Sequence, residues 1–114
     1  MGGGRAARRN YKGARITIYE TLRTTGLPCA YSHFKEPQEL PYIVYIGAGQ
    51  NVLAADNTYH WTRNAYQIEY YFKVKNERNE AAIESALLAA GFPYQKSEDT
   101  YLEDQGVFLI YYNV

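Results

Sequence analysis

The side chains that could do nucleophilic chemistry are few in this sequence. It has one cysteine, Cys29, and two histidines, His33 and His60. A Cys–His pair needs both groups within hydrogen-bond reach and a third group that orients the base. His33 follows Cys29 by four residues in a predicted strand, so the two would share a face about 13 Å apart at about 3.3 Å per residue. His60 could still approach Cys29, but nothing else in the sequence supports such a pair.

A metal site would have to combine these residues with acids such as Glu36 or Asp56. No pair has a ligand spacing such as C-x-x-C or H-x-x-x-H. Solvated or capping histidines are therefore the simpler interpretation, and we expect neither a metal nor a cofactor.

A glycine pair, Gly47 and Gly49, resembles the start of a dinucleotide-binding loop. No third glycine follows at the required spacing, and the next residues are polar and not helical in pattern. A bend after a buried strand explains the pair better than a phosphate site.

Four acids lie close together near the C-terminus: Glu98, Asp99, Glu103 and Asp104. They lack the glycine and the alternating oxygen ligands of a calcium loop. A solvated turn is one interpretation. The other is a docking patch for a basic surface, such as the basic arm of a neighbouring copy.

The charge is unevenly distributed although the formal net charge is zero. Residues 1–15 hold five of the twelve basic residues and no acid, so seven basic residues face twelve acids in residues 16–114. We predict a flexible basic arm over 1–15 and one α+β domain over 16–114. The acidic body lacks the basic footprint of a duplex DNA binder, whereas the arm could bind nucleic acid or an acidic neighbour.

Composition fits a packed domain with many half-buried aromatic side chains. The chain has 114 residues, 46% of them hydrophobic, and 13 are tyrosines. Tyrosine suits both half-buried strands and protein interfaces, and both uses remain open. A single cysteine excludes an intrachain disulfide and fits a reducing compartment. No membrane span or secretory signal is expected.

The residues that could do chemistry must be positioned by a short helix and several strands. Thr17 and Glu20 form a T-x-x-E capping box that begins a helix over about 17–25, and Gly26 ends it. Strands are predicted over 29–34 and 42–46, the second covered on both faces. Residues 50–58 are predicted to form a long loop or a hairpin.

The clearest strand covers residues 60–75. Its alternate residues Tyr66, Ile68, Tyr70, Phe72 and Val74 are apolar, which predicts one buried face. Aromatic and basic residues interleave here, as in proteins that bind single strands of nucleic acid, but aromatics on one face are what a core needs.

A second helix is predicted from residue 77 or 80 to residue 90, with Asn76 or Asn79 as its N-cap and with Glu80 and Glu84 facing water. Strands over 94–97 and 107–114 complete the chain. The predicted fold class is α+β, an antiparallel sheet with two helices on one face, in the order α-β-β-β-α-β-β.

Read together, these segments resemble a family of small phage proteins. The resemblance covers about residues 16–114 and rests on the stretches 18–22, 26–28, 30–34, 41–45, 55–57, 66–70 and 91–94, which read IYETL, GLP, AYSHF, PYIVY, ADN, YQIEY and GFPY. The family is that of the tail terminator or tail completion proteins, also called tail-to-head joining proteins, of long-tailed (siphovirus-like) phages and prophages of Gram-positive bacteria.

The resemblance implies a structural virion protein, made in the host cytoplasm, with no enzymatic activity and no cofactor. Such proteins form a hexameric ring that ends the tail tube, made of the major tail tube protein, and joins it to the head connector; DNA passes through the lumen without specific binding. We predict that the interfaces include the basic arm, one loop and the acidic turn: Arg5, Arg8, Arg9, Lys12, Asp56, Asn57, Glu98, Asp99, Glu103 and Asp104.

Two alternatives stay open. One is a head-completion or adaptor protein of the same neck. The other is a small non-enzymatic binding module that uses the basic arm, whose binding to nucleic acid would weaken steeply with salt.

Overall fold

The computed structural model describes residues 16–56 and 59–114. The predicted flexible arm with Arg5, Arg8, Arg9 and Lys12, and also Asn57, lie outside the described residues. The elements are α1 (Ile18–Arg23), β1 (Cys29–Tyr31), β2 (Tyr42–Asp56), β3 (Tyr59–Phe72), α2 (Glu77–Ala89), β4 (Gln95–Lys96), β5 (Thr100–Leu102) and β6 (Val107–Asn113). The α+β prediction is confirmed, with β5 as an added strand.

The capping box that begins α1 is present as predicted. Thr17 N–H donates to Glu20 Oε1 at 3.0 Å, and Glu20 N–H donates to Thr17 Oγ1 at 3.1 Å. Gly26 follows α1 with a φ of 84°, a conformation that glycine adopts without steric cost. At α2 the N-cap is Asn76, whose side chain accepts from the backbone N–H groups of Arg78 and Asn79.

The six strands form one mixed sheet in the order β1-β2-β3-β6-β4, with β5 also paired to β6. The prediction of an antiparallel sheet is wrong for one pair, because β1 runs parallel to β2. Residues 32–41 carry the chain back past the end of the sheet before β2 begins, which is the return that a parallel pair requires.

The second strand is much longer than predicted. Of the two predictions for 50–58, the hairpin is observed, because β2 continues to Asp56 and pairs antiparallel with β3. The register shifts by one residue between Gly47 and Gln50, where Gly49 has a φ of 95°. This is a β-bulge, in which glycine takes up the extra residue without ending the strand.

Both helices pack on one face of the sheet, as predicted. Ile18 and Leu22 of α1 and Ile83 and Leu87 of α2 share one buried cluster with alternate residues of β2, β3 and β6. The sheet residues of that cluster are Ile43, Tyr45, Ile68, Tyr70, Phe72, Ile110 and Tyr112. The period-two pattern therefore identified the core face of β3.

The pattern fails at Val74, which is 78% exposed. The strand ends at Phe72 and the chain bends at residues 73 and 74, so the alternation no longer applies. Phe72 itself is buried and stacks on Phe108, with ring centroids 5.4 Å apart.

We predict that Phe72→Ala lowers the free energy of unfolding by about 3–5 kcal/mol, because it removes a buried ring and leaves a cavity. Urea unfolding followed by tyrosine and tryptophan fluorescence measures the change. Val74→Ala is the matched control and should change stability by less than about 0.5 kcal/mol. A Phe72→Ala cost below about 1 kcal/mol would show that the core is not packed on this face.

Candidate assembly interface

The four C-terminal acids are exposed but do not form one cluster. Glu98 and Asp99 precede β5, whereas Glu103 and Asp104 follow it, so a strand separates the two pairs. Asp99 Oδ2 pairs with Lys75 Nζ at 2.9 Å. Two acidic turns therefore flank β5, and the structure does not bring the carboxylates together as a paired-acid site.

Asp56 lies far from these acids. It ends β2 at the hairpin tip, where its backbone pairs with Tyr59, the first residue of β3. The strand β5 packs beside β6 near the other end of β3, at the level of Phe72. Tyr59, opposite Asp56, and Phe72, beside β6, are thirteen residues apart in β3. This corresponds to about 40 Å at about 3.3 Å per residue. The predicted interface residues thus divide into at least two regions.

A group of tyrosines gathers where α1 meets the edge of the sheet. The ring of Tyr45 lies 6.3 Å from Tyr19, 5.2 Å from Tyr31 and 6.1 Å from Tyr66, centroid to centroid. The guanidinium carbon of Arg23 lies 5.7 Å from the Tyr19 ring centroid. Tyr19 and Tyr31 are 42% and 54% exposed. We call these five residues the tyrosine edge.

The tyrosine edge was not predicted as a site. The abundance of tyrosine was the only signal in the sequence, since no spacing reveals that residues 19, 31, 45 and 66 converge. Their meeting depends on the parallel pairing of β1 with β2, which places Tyr31 beside Tyr45.

The strand β1 ends abruptly and leaves the rest of β2 uncovered. Ser32 has a φ of 69°, and its N–H donates to Tyr45 O at 2.8 Å before the chain turns away. The Tyr31 hydroxyl accepts from Gly47 N–H at 3.1 Å. Beyond Gly47, within the described residues, β2 is paired only with β3.

The outer part of β3 is equally uncovered. Its pairing with β6 begins at Gln67, preceded by a backbone pair between Tyr66 and Val114. In the part of the chain that the structure describes, the end of the hairpin is therefore a two-stranded ribbon. It consists of Gln50–Asp56 and Tyr59–Asn64. We call this segment the ribbon. Arg63 fixes its base, since Nη1 donates to Gly91 O at 3.3 Å.

Within the described residues, Cys29 and His33 have separate surroundings. Burial raises the pKa of the Cys29 thiol, against a smaller opposite effect of Arg23, so the thiol stays protonated at neutral pH. His33 Nδ1 lies 3.2 Å from the hydroxyl of its chain neighbour, Ser32. Ser32 and His33 line an open cavity of about 360 Å³ together with Tyr42 and Tyr71. In residues 16–56 and 59–114 no group of three or more His, Cys, Asp or Glu could hold a metal ion.

One carboxylate was predicted wrongly. Glu80 was expected to face water, but it is 3% exposed. Lys75 Nζ lies 2.8 Å from its Oε2, and Lys96 Nζ lies 2.9 Å from its Oε1. Lys96 also pairs with Glu84 at 2.8 Å, and the Tyr112 hydroxyl donates to Glu84 at 2.7 Å. We call these residues the ion-pair cluster.

The contacts in and around the ion-pair cluster shift the pKa values of Lys75, Glu84 and Tyr112. Hydrogen bonds to Glu80 and Asp99 raise the pKa of Lys75. Burial would raise the pKa of Glu84, but the hydrogen bonds from Lys96 and Tyr112 outweigh it and lower that pKa. Burial and the bond to Glu84 raise the pKa of Tyr112. The contacts of the ion-pair cluster join α2 to Lys96 of β4 and to Lys75, which also holds Asp99 beside β5.

No protein-family model matches this chain, and no curated protein matches it significantly. Among the described helices, none is long and apolar enough to cross a membrane.

We predict that Glu80→Gln costs about 2–3 kcal/mol of stability, because the charged hydrogen bond from Lys96 and the ion pair with Lys75 are weakened at a buried position. Chemical unfolding at pH 7 measures it. Glu77→Gln, at an exposed position in the same turn of α2, is the control and should cost less than about 0.5 kcal/mol. Equal effects of the two substitutions would contradict a buried ion-pair cluster.

The lowered pKa of Glu84 predicts a contribution to stability that depends on pH. A carboxyl whose pKa is lower in the folded than in the unfolded chain stabilises the fold above its unfolded value, about 4.3, and this is lost as pH falls through the folded pKa. The stability difference between wild type and Glu84→Gln should therefore be largest near pH 7 and shrink toward pH 3. Urea unfolding at both pH values tests this, and a constant or growing difference would contradict it.

Proposed function

We propose that this chain is a structural protein of a siphovirus-like phage, which forms a ring that ends the tail tube and joins it to the head connector. The observation that carries the proposal is the ribbon. It extends beyond the other strands, and both of its backbone edges are uncovered in the described part of the chain.

A two-stranded ribbon in water gains little stability on its own, because its backbone groups compete with water and it has no sheet face to pack. An uncovered strand edge also invites pairing with another chain, unless lysine, proline or other charges protect it. Between Gly47 and Tyr59 the sequence has one charged residue, Asp56, and no proline. These properties suit a segment that is covered by a neighbouring subunit.

The resemblance to the tail terminator family supports the narrower identity. A ring requires contacts between two different surfaces of the same subunit, so that each copy binds the next until the ring closes. The tyrosine edge and the residues around β5 are two such surfaces. The first lies at β1, where the sheet order begins, and the second at β5, which pairs with β6 near the other end of that order. The acidic charge of residues 16–114 would let DNA pass through a lumen without adhering to it.

Antibody labelling of phage particles from a strain that carries the gene would test the proposal. Electron microscopy should show label at the head-proximal end of the tail, and light scattering of the protein released from tails should give a mass near six copies. Label confined to a twelve-membered ring on the portal would contradict tail termination and favour an adaptor protein. Particles without label would contradict a structural role altogether.

A shortened ribbon should separate folding from assembly. Replacing residues 52–62 with Asn-Gly joins the backbone pair Asn51 and Arg63 by a two-residue turn and leaves the core pairs of β2 and β3 intact. We expect a folded protein with an unfolding midpoint close to that of the wild type, but no ring. Circular dichroism and light scattering measure the two properties. A shortened protein that still forms a full ring would contradict the role given to the ribbon.

A further inference from the structure

We infer that the tyrosine edge of one copy binds the β5 region of a second copy, head to tail. The second surface, which we call the acidic edge, consists of Glu98, Tyr101, Glu103 and Asp104. This inference rests on the proposed ring and names the surfaces that close it.

The tyrosine edge has the composition of an interface centre. Tyrosine and arginine are the residues most often found at positions that carry binding energy, because they bury a large ring or a planar cation with few rotatable bonds. Tyr19 and Tyr31 are held by contacts with the buried Tyr45, so little side-chain freedom remains to be lost on binding. Arg23 stacks on Tyr19 and has no acidic partner among the described residues.

The acidic edge is complementary in charge. Glu98, Glu103 and Asp104 are exposed, and within residues 16–56 and 59–114 no cation pairs with them. Tyr101 is 52% exposed and rests on Phe108, with ring centroids 4.8 Å apart. An aromatic centre flanked by exposed acids fits a tyrosine surface that carries Arg23, which pairs with no acid in the described part of the chain.

The rest of the chain reinforces this polarity. Residues 1–15, which precede Ile16 in the sequence and lie outside the described residues, hold five basic residues and no acid. The acid Glu36 does not offset it, because Glu36 lines the cavity on the opposite face of the sheet, with Tyr42 and Tyr71.

The placement of the two surfaces favours a second copy as the partner. The tyrosine edge lies at β1 and the acidic edge at β5, on opposite sides of the sheet. One molecule can therefore use both at once, and repeated contacts of this kind close into a ring when the rotation permits. A foreign basic protein could bind the acidic edge but would not account for the matching tyrosine edge.

The test uses charge reversal and its rescue. Arg23→Glu should weaken self-association of the full chain by at least about tenfold, because like charges would then face each other. The double variant Glu103→Arg/Asp104→Arg should weaken it similarly. Mixing the two variants should restore the ring, because each faulty surface then meets a partner of opposite charge. Arg78→Glu, at an exposed position of α2, is the matched control and should assemble like the wild type.

Light scattering over a range of concentrations, in about 0.1 M salt, measures the mass of each sample, and thermal unfolding checks that each variant folds. Restoration by mixing supports the inference. If the wild type forms rings but neither variant impairs them, the inference fails and the proposed function stands. A wild-type chain that stays monomeric also overturns the inference, and particle labelling then decides the proposed function independently. If Arg23→Glu does not fold, the Glu103→Arg/Asp104→Arg variant, in the exposed turn between β5 and β6, tests the inference.

Discussion

The antiparallel pairing of β2 with β3 is the constraint on which the rest of the structure depends. The inner halves of these strands carry the centre of the core, where Ile43, Ile68 and Tyr70 are fully buried beneath the helices. The outer halves continue the same pairing into the ribbon, where no other described strand flanks them. One continuous hairpin therefore contributes both to the core and to the ribbon, which a neighbouring subunit would stabilise. Folding and assembly thus depend on the same two strands.

The ion-pair cluster fixes the geometry of the sheet near β4 and β5, at the edge away from β1. Glu80 ties the end of β3 to β4 through Lys75 and Lys96, and Lys75 also holds Asp99 beside β5. A buried carboxylate between two ammonium groups tolerates little displacement, since each charge would lose its partner. Asp99 beside β5 is thus held in place, and less ordering of this segment opposes its binding to another surface.

Features that depend on neighbouring residues in the sequence were predicted correctly. Features that depend on contacts between distant segments were not. The Thr17–Glu20 capping box and the buried face of β3 follow from neighbours in sequence, and both were predicted correctly. The burial of Glu80 could not be predicted, because an isolated glutamate on a helix faces water. Burial becomes tolerable only when the fold brings Lys96 of β4, together with Lys75, against the carboxylate. The continuation of β2 past its glycines depends on pairing with β3, and the tyrosine edge depends on the parallel β1, which no periodicity indicates.

Hydrogen exchange of the ribbon reports whether another chain covers its backbone groups. The amides of residues 50–56 would be compared between dilute monomer and assembled protein, with the buried residues of β6 as an internal reference. The account predicts fast exchange in the monomer and strong protection in the assembly. Equal exchange in both states, with assembly confirmed by mass, would contradict a ribbon completed by a neighbouring copy.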